Sequence, residues 1–182
     1  MKVSKEKVAE HRTRILEAAG QLFRERGFDA VTVAEIMKAA GLTHGAFYGY
    51  FPSKEALIAE AVGAALTPSD VAPSPAWAAA YADSYLSARH RDNRAGCCLF
   101  SAIGTEAARG APNLRQIMTD ATRRQLERFT AAADVDSERD KRRAAIAAWS
   151  AMVGAMVLAR IVDDPALSDE ILSETRAALP LA

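Results

Sequence analysis

Between residues 32 and 54 the chain signals the start of a helix three times and its stop twice. Thr32-Val33-Ala34-Glu35 is a capping box, in which hydroxyl and carboxylate close two otherwise unpaired amides, and Gly41 ends the segment that follows. Only Leu42 intervenes before Thr43, a second N-cap. Phe51 and Pro52 stop that helix, and Ser53 caps a third. The signals predict helices over about 33–40, 44–50 and 54–66. The first two are short, are joined by almost nothing, and follow a longer supporting helix, which is the helix-turn-helix plan.

The supporting helix is expected over about 5–26. Ile15, Ala18, Ala19, Leu22 and Phe23 form its apolar face, Gly27 is its C-terminal cap, and Phe28 and Val31 then pack on the core. After residue 66 comes a Pro-rich passage, Thr67 to Pro75, with the composition of a link. Helical periodicity resumes over 77–88, 97–109, 114–132 and 144–163, and Ser168 is the expected cap of a last helix ending near Pro180. No stretch alternates like a strand. The expected fold is all-α: residues 1–66 form a three-helix, helix-turn-helix DNA-binding domain, and residues 67–182 a helical ligand-binding and dimerization domain.

Lys and Arg balance Asp and Glu at 23 each, so the chain is no polycation, and DNA binding must rest on where the charge sits. From Ile36 to Lys54 there are Lys38, His44 and Lys54 and no acid. The first fourteen residues carry Lys2, Lys5, Lys7, Arg12 and Arg14 against Glu6 and Glu10. The polar start has no secretory apolar run, and the most apolar stretch, residues 144–162, contains Ser150 and Arg160 and reads as a buried helix. A cytoplasmic protein with no membrane partner is expected. Cys97 and Cys98 are adjacent, a strained geometry for a disulfide, and no histidine is spaced to join them at zinc, so neither metal nor cofactor is expected. No nucleophile, base and orienter stand at diagnostic spacing, and Glu106 with Arg109 is an ordinary i, i+3 pair, so an enzyme is not expected.

Over 43–54 the residue types suit DNA. Thr43, His44, Tyr48 and Tyr50 offer groups for phosphates or base edges. Gly45, Ala46 and Gly49 permit close approach, Phe47 and Phe51 face inward, and Lys54 and Thr32 stand at helix starts. Residues 12–62 closely resemble the N-terminal domain of the TetR family of bacterial repressors. The likeness runs through Arg12 to Ala19, Leu22-Phe23, Gly27-Phe28, Thr32 to Ile36, Ala39 to Thr43, Gly45 to Tyr48 and Tyr50 to Leu57. It implies that Thr43, His44 and Gly45 begin the recognition helix, that Tyr48 contacts the DNA backbone, that Tyr50 holds the family's frequent Tyr or His position, and that Lys54 is the phosphate-binding lysine. Gly49 departs from the family's larger residue and supplies no side-chain contact.

The resemblance further implies that the remainder binds a small effector and pairs two copies on a palindromic operator in double-stranded DNA, the effector releasing a repressor. An activator or a redox-responsive regulator of the same fold stays open. For a small apolar or aromatic effector the candidate residues are the stripe Trp77, Tyr81 and Tyr85, with Cys98, Phe100, Ile103, Met118 and Trp149. For the homodimer, alanines and Gly154 keep the 144–162 helix slim. The candidate contacts are Met152 and Met156, with Ile171, Leu172 and Leu179 from the last helix.

Overall fold

The computed structural model describes residues 4–67 and 70–179. Lys2 of the basic start, Pro68 and Ser69 of the link, and Pro180 lie outside the described residues. Every element among those described is helical: α1 (Lys5–Arg26), α2 (Val33–Ala39), the 3₁₀ helix η1 (His44–Gly49), α3 (Lys54–Ala65), α4 (Pro75–Tyr85), α5 (Ala88–Asp92), α6 (Leu99–Ala108), α7 (Pro112–Ala132), α8 (Glu138–Ile161) and α9 (Pro165–Ala178). They form two compact units. The expected second domain is not one packing unit, because its segment Ala102–Met118 clusters with the chain up to Thr67. Helices α6 and α7 therefore each contribute residues to both units.

In the first unit α1 packs on α2 and α3, and α2 packs on η1. The inward residues are those the periodicity selects: Ile15, Ala19, Phe23, Ile36, Met37, Phe47, Phe51 and Leu57 are buried, and Phe28 and Val31 join them. The Phe23 and Phe28 rings meet edge to face at 5.3 Å. Two glycines turn the chain with positive φ, Gly27 at 79° and Gly41 at 70°. At Gly41 any Cβ would also run into the Arg14 guanidinium, which donates to the carbonyl of Ala40. The left-handed backbone calls for glycine there, and a Cβ would in addition push the Arg14 guanidinium aside.

The second short helix differs from its expected form. It is 3₁₀, closed by Ala46 N–H to Thr43 O at 3.1 Å and Tyr50 N–H to Phe47 O at 2.9 Å, and the Thr43 hydroxyl makes no cap. Two glycines in six residues weaken the α alternative, and the tighter i to i+3 turn satisfies the short segment instead.

The second unit is built on α8 and α9, with α5 against α8. Its core joins Ala78, Ala82 and Tyr85 of α4, Phe129 of α7, and Ala145, Trp149, Met152 and Met156 of α8 to Leu172 of α9. The last helix is capped by Asp164, whose carboxylate accepts from the amides of Ala166 and Leu167, with Pro165 in its first turn. Ser168, the expected cap, is instead buried one turn inside and donates its hydroxyl to Ala159 O at 2.6 Å. Arg160 donates to the carbonyls of His90 (3.0 Å) and Arg91 (3.1 Å) and to the Ser101 hydroxyl (3.1 Å). Arg91 in turn bridges Ser168 and Asp169. Helix α8 is long and apolar enough to cross a bilayer, yet its face from Ala145 to Ala159 is buried in this core.

Candidate functional site

Helix η1 has two unlike faces. Phe47 and Phe51 are fully inside and stacked at 6.0 Å, which pins the element to the core. Thr43, His44, Gly45, Tyr48 and Gly49 are exposed. Tyr48 leans edge-on against Phe47 at 5.1 Å yet is 73% exposed, the most exposed large apolar side chain among the described residues. A Cβ added at Gly45 or Gly49 would meet nothing within 4 Å. The protein's own packing therefore does not call for glycine at either place, and the surface is left smooth toward whatever lies outside.

The other expected contact residues are engaged from behind. Thr32 gives its hydroxyl to Glu35 (2.7 Å) and accepts the Glu35 amide (3.2 Å), while the Glu35 carboxylate also accepts the Thr32 amide at 2.8 Å. These bonds to Thr32, with Arg26 alongside at 2.9 Å, lower the Glu35 pKa to about 2. Tyr50 is half-buried and turned to α1: its hydroxyl shares a proton with His11 Nδ1 at 2.8 Å, and its carbonyl accepts from Arg12 at 2.7 Å. Arg12 also lies 4.3 Å over the Phe51 ring and pairs with Glu60. Lys54, expected at a phosphate, donates to Phe28 O at 2.6 Å. The reason is the end of α1, where Gly27 turns the chain and leaves the carbonyl of Phe28 outside any helix.

Three residues of this unit escaped the sequence reading. His11 and Arg14 look like ordinary polar positions on α1, but one holds Tyr50 and the other closes the corner at Ala40 and Gly41. Glu106, read as a helical partner of Arg109, instead accepts the Phe28 amide at 2.6 Å from 78 positions away. The amphipathic period of α1 places half-buried His11 one turn before Ile15 on the inward side, whereas Arg14 is exposed. Nothing local could have flagged the third.

In the second unit the expected aromatic stripe is gathered in one cluster. Trp77 meets Phe129 at 5.2 Å, Tyr81 stacks on Tyr85 at 5.9 Å, and Trp149 touches Tyr85 at 5.6 Å and Phe100 at 5.7 Å. Cys98 packs against the same cluster, as does Phe129, which the sequence reading missed. Ile103 and Met118 are buried but belong to the first unit. Burial pushes the Tyr81, Tyr85 and Cys98 pKa values up, so all three are held in their protonated forms. His90 is fixed as one neutral tautomer. The Cys98 amide donates to Nε2 at 3.0 Å, which leaves Nδ1 to carry the proton to Tyr85 O at 2.7 Å. Burial lowers the His90 pKa, and Arg160 adds to the effect.

The expected dimer contacts need correction. Met152 and Met156 are fully buried and Leu172 is 3% exposed, all within the chain's own core, so they cannot meet a second copy. Ile171 and Leu179 are half-buried against that core. The apolar residues facing outward on α8 are Ile146, Val157, Leu158 and Ile161, the last 70% exposed, with Leu167 beyond the helix end. They share a stripe with Ser150 and Gly154, and neither carries bulk.

Comparison with known proteins agrees with this geometry. The family described as "Bacterial regulatory proteins, tetR family" matches residues 15–61. An uncharacterized HTH-type transcriptional regulator of Bacillus subtilis, YdgC, is 50% identical over 58 residues, which are 32% of this chain and 30% of that protein. The HTH-type transcriptional repressor KstR2 of Rhodococcus jostii is 47% identical over 49 residues, 27% of this chain and 24% of that protein. The matches thus span less than a third of either relative. Among solved structures, the reduced form of E. coli NemR superposes with a TM-score of 0.75 at 21% identity, covering 93% of this chain and 95% of that one. A TetR-family regulator from Agrobacterium tumefaciens gives 0.75 at 16% identity, covering 94% and 98%. The structural likeness extends the shared fold over nearly the whole chain. Over residues 15–61 the chain carries the N-terminal helix-turn-helix pattern of the TetR family, and beyond it the likeness is one of fold.

Proposed function

We propose that the protein is a transcription regulator that reads duplex DNA with the exposed face of η1. The observation that carries this reading is the division of that element. Its phenylalanines are locked inside, and everything it shows to solvent is small or hydrogen-bonding. No acidic residue lies between Ile36 and Lys54, so nothing in the segment repels a phosphate. His44 is the candidate for base contact, Thr43 and Gly45 for the start of the groove contact, and Tyr48 for the backbone. Tyr50, Thr32 and Lys54 support the element from the protein side.

One such element covers little DNA, and specific affinity calls for two. The exposed stripe Ile146, Val157, Leu158 and Ile161 with Leu167 is the surface on which a second copy would dock. The half-buried Ile171 and Leu179 lie on the neighbouring α9. The aromatic cluster of Trp77, Tyr81, Tyr85, Phe100 and Trp149 suits a small, largely apolar effector whose binding releases the DNA. Repression is the favoured sign, in keeping with the similarity to the repressor KstR2. The redox alternative loses support because burial holds the Cys98 thiol protonated. Such a regulator works in the cytoplasm, beside the DNA.

Selection from random duplexes tests the reading: a palindrome with two half-sites about one helical turn apart is expected. Leu158→Glu should turn a dimer into a monomer in sedimentation and cut affinity for the palindrome at least tenfold. Wild-type chain that sediments as a monomer, or that enters vesicles through α8, would refute the dimer surface.

A further inference from the structure

The aromatic cluster of the second unit holds two buried donors that its own packing leaves without acceptors. Tyr85 on α4 is 5% exposed, with Tyr81 at 5.9 Å, Trp149 at 5.6 Å and His90 at 4.6 Å around its ring. Its hydroxyl is buried and makes no hydrogen bond. Cys98 and Ser101 stand close to it, but neither meets it in hydrogen-bonding geometry. Ser101 gives its hydroxyl proton to Cys98 O at 3.0 Å and accepts from Arg160. Both ring nitrogens of His90 are taken, one by Tyr85 O and the other by the Cys98 amide. On α7, Gln125 stands one turn before Phe129 on the same face, and its amide nitrogen Nε2 is also buried without a partner. Phenylalanine and leucine would fill the same space without burying an unpaired donor, so packing alone does not account for either residue.

The cluster is not sealed. Tyr85, Phe129 and Trp149 are buried and form its floor, while Trp77, Tyr81, Cys98 and Phe100 are partly exposed and form a rim. Its surroundings reject charge of either sign. The burial that raises the Tyr81, Tyr85 and Cys98 pKa values lowers that of His90. No carboxylate stands among the groups that perturb Tyr81 and Tyr85, so nothing there balances a cation. Arg128 does act on Tyr81, but its guanidinium lies over the Trp77 ring at 4.5 Å and donates to Val71 O at 2.7 Å.

We propose that the ligand of this cluster is a neutral aromatic molecule bearing a hydrogen-bond-accepting oxygen, with the Tyr85 hydroxyl as its principal donor and the Gln125 amide as a second. The proposal rests on the reading of the cluster as an effector site and names what that site selects. Stacked rings supply affinity for any flat apolar body. The two unpaired donors supply the choice, because a guest without an acceptor leaves them as they were.

The test uses the full chain and four probes of similar size: acetophenone, which is neutral and carries an acceptor; cumene, which has none; benzoate; and phenyltrimethylammonium. Both tryptophans of the chain, Trp77 and Trp149, belong to the cluster, so their indole N–H resonances report binding where it occurs. Acetophenone should bind at least tenfold tighter than cumene and than either ion. In Tyr85→Phe, which keeps the ring, acetophenone should fall to within about threefold of cumene while cumene is unchanged. Gln125→Leu should narrow the same gap and provides the test if Tyr85→Phe does not fold. In the free protein Tyr85→Phe should melt no lower than wild type, since no hydrogen bond is lost. A lower melting temperature would mean that the hydroxyl already has a partner, and would refute the proposal. Cumene binding as tightly as acetophenone refutes the donors, and an ion binding more tightly refutes the neutral class. Indole resonances that ignore all four probes refute the site itself. Acetophenone that binds with the expected preference yet leaves the selected duplex bound overturns effector release and upholds the ligand class.

Discussion

The two units are stabilised in different ways. The first is an assembly of corners: caps, two left-handed glycines, and polar side chains such as Arg14, His11, Lys54 and Glu106 that reach across to a neighbouring element. The second is an assembly of faces, where rings of α4, α7 and α8 interleave and one network around Arg160 and Arg91 closes the end. A reader element must hold a fixed outline while showing small and polar groups to solvent, and corners do that without bulk. An apolar cluster can yield to a guest because dispersion and burial are not directional.

The comparison can be broken most forcefully at its two anchors. Phe47→Ala should cost about 3–5 kcal/mol in the first unit, and Trp149→Ala a similar amount in the second, as for large buried rings elsewhere. Both tryptophans of the chain, Trp77 and Trp149, lie in the second unit, so tryptophan fluorescence follows that unit alone. Under chemical denaturation Phe47→Ala should lower the helix-circular-dichroism midpoint with a smaller change in the fluorescence midpoint. Coincident shifts of both would mean that the two units melt as one.

Glycine offers a sharper contrast within a single motif. Gly41→Ala forces a Cβ into positive φ and against Arg14, and should cost about 1–2 kcal/mol by thermal melting. Gly49→Ala meets nothing and should stabilise η1 by up to about 1 kcal/mol. An equal loss at both would show that η1 is also tightly closed on its outer side.

Acid gives the smallest effect and separates the units by pH. The His90 pKa lies below its ordinary 6.5, so the unfolded chain takes up the proton first, and the stability that neutral His90 supplies is lost as pH falls below about 6.5. The Glu35 pKa is lowered from 4.5 to about 2, so its contribution is complete above 4.5 and fades between 4.5 and 2. Tryptophan fluorescence should therefore report weakening of the second unit as the pH falls below 6.5, before it reaches the 4.5 at which the capping box of the first begins to be touched. His90→Gln should remove that early phase.

Legibility followed the same division. The first unit is written in local signals, so Thr32, Gly41, Ser53 and the buried Phe47 and Phe51 could all be placed from neighbours alone. The start of α8 was missed because residues 138–143 are all charged; they pair at i, i+3, as Glu138 with Lys141 and Asp140 with Arg143 do, and carry no apolar period. Helix α5 is only five residues, shorter than the pattern that would announce it. Ser168 has the residue type of an α9 cap, but Asp164-Pro165 is the start signal that the helix uses. Residue type alone points to Met152 and Met156 as dimer contacts, but helical phase decides: both fall on the buried side with Trp149, and Val157 and Leu158 fall on the other. The bond between Glu106 and Phe28 spans 78 positions and has no local trace.

The central claim is that the exposed face of η1 meets DNA. The most direct measurement is the affinity of Tyr48→Ala for the selected duplex across a range of salt, alongside its melting temperature. Because Tyr48 is 73% exposed, the melting temperature should stay within a degree or two of wild type. Affinity should fall at least tenfold at every salt concentration. Unchanged affinity with an unchanged melting temperature would contradict the account, since the most prominent side chain of the proposed reader would then be touching nothing.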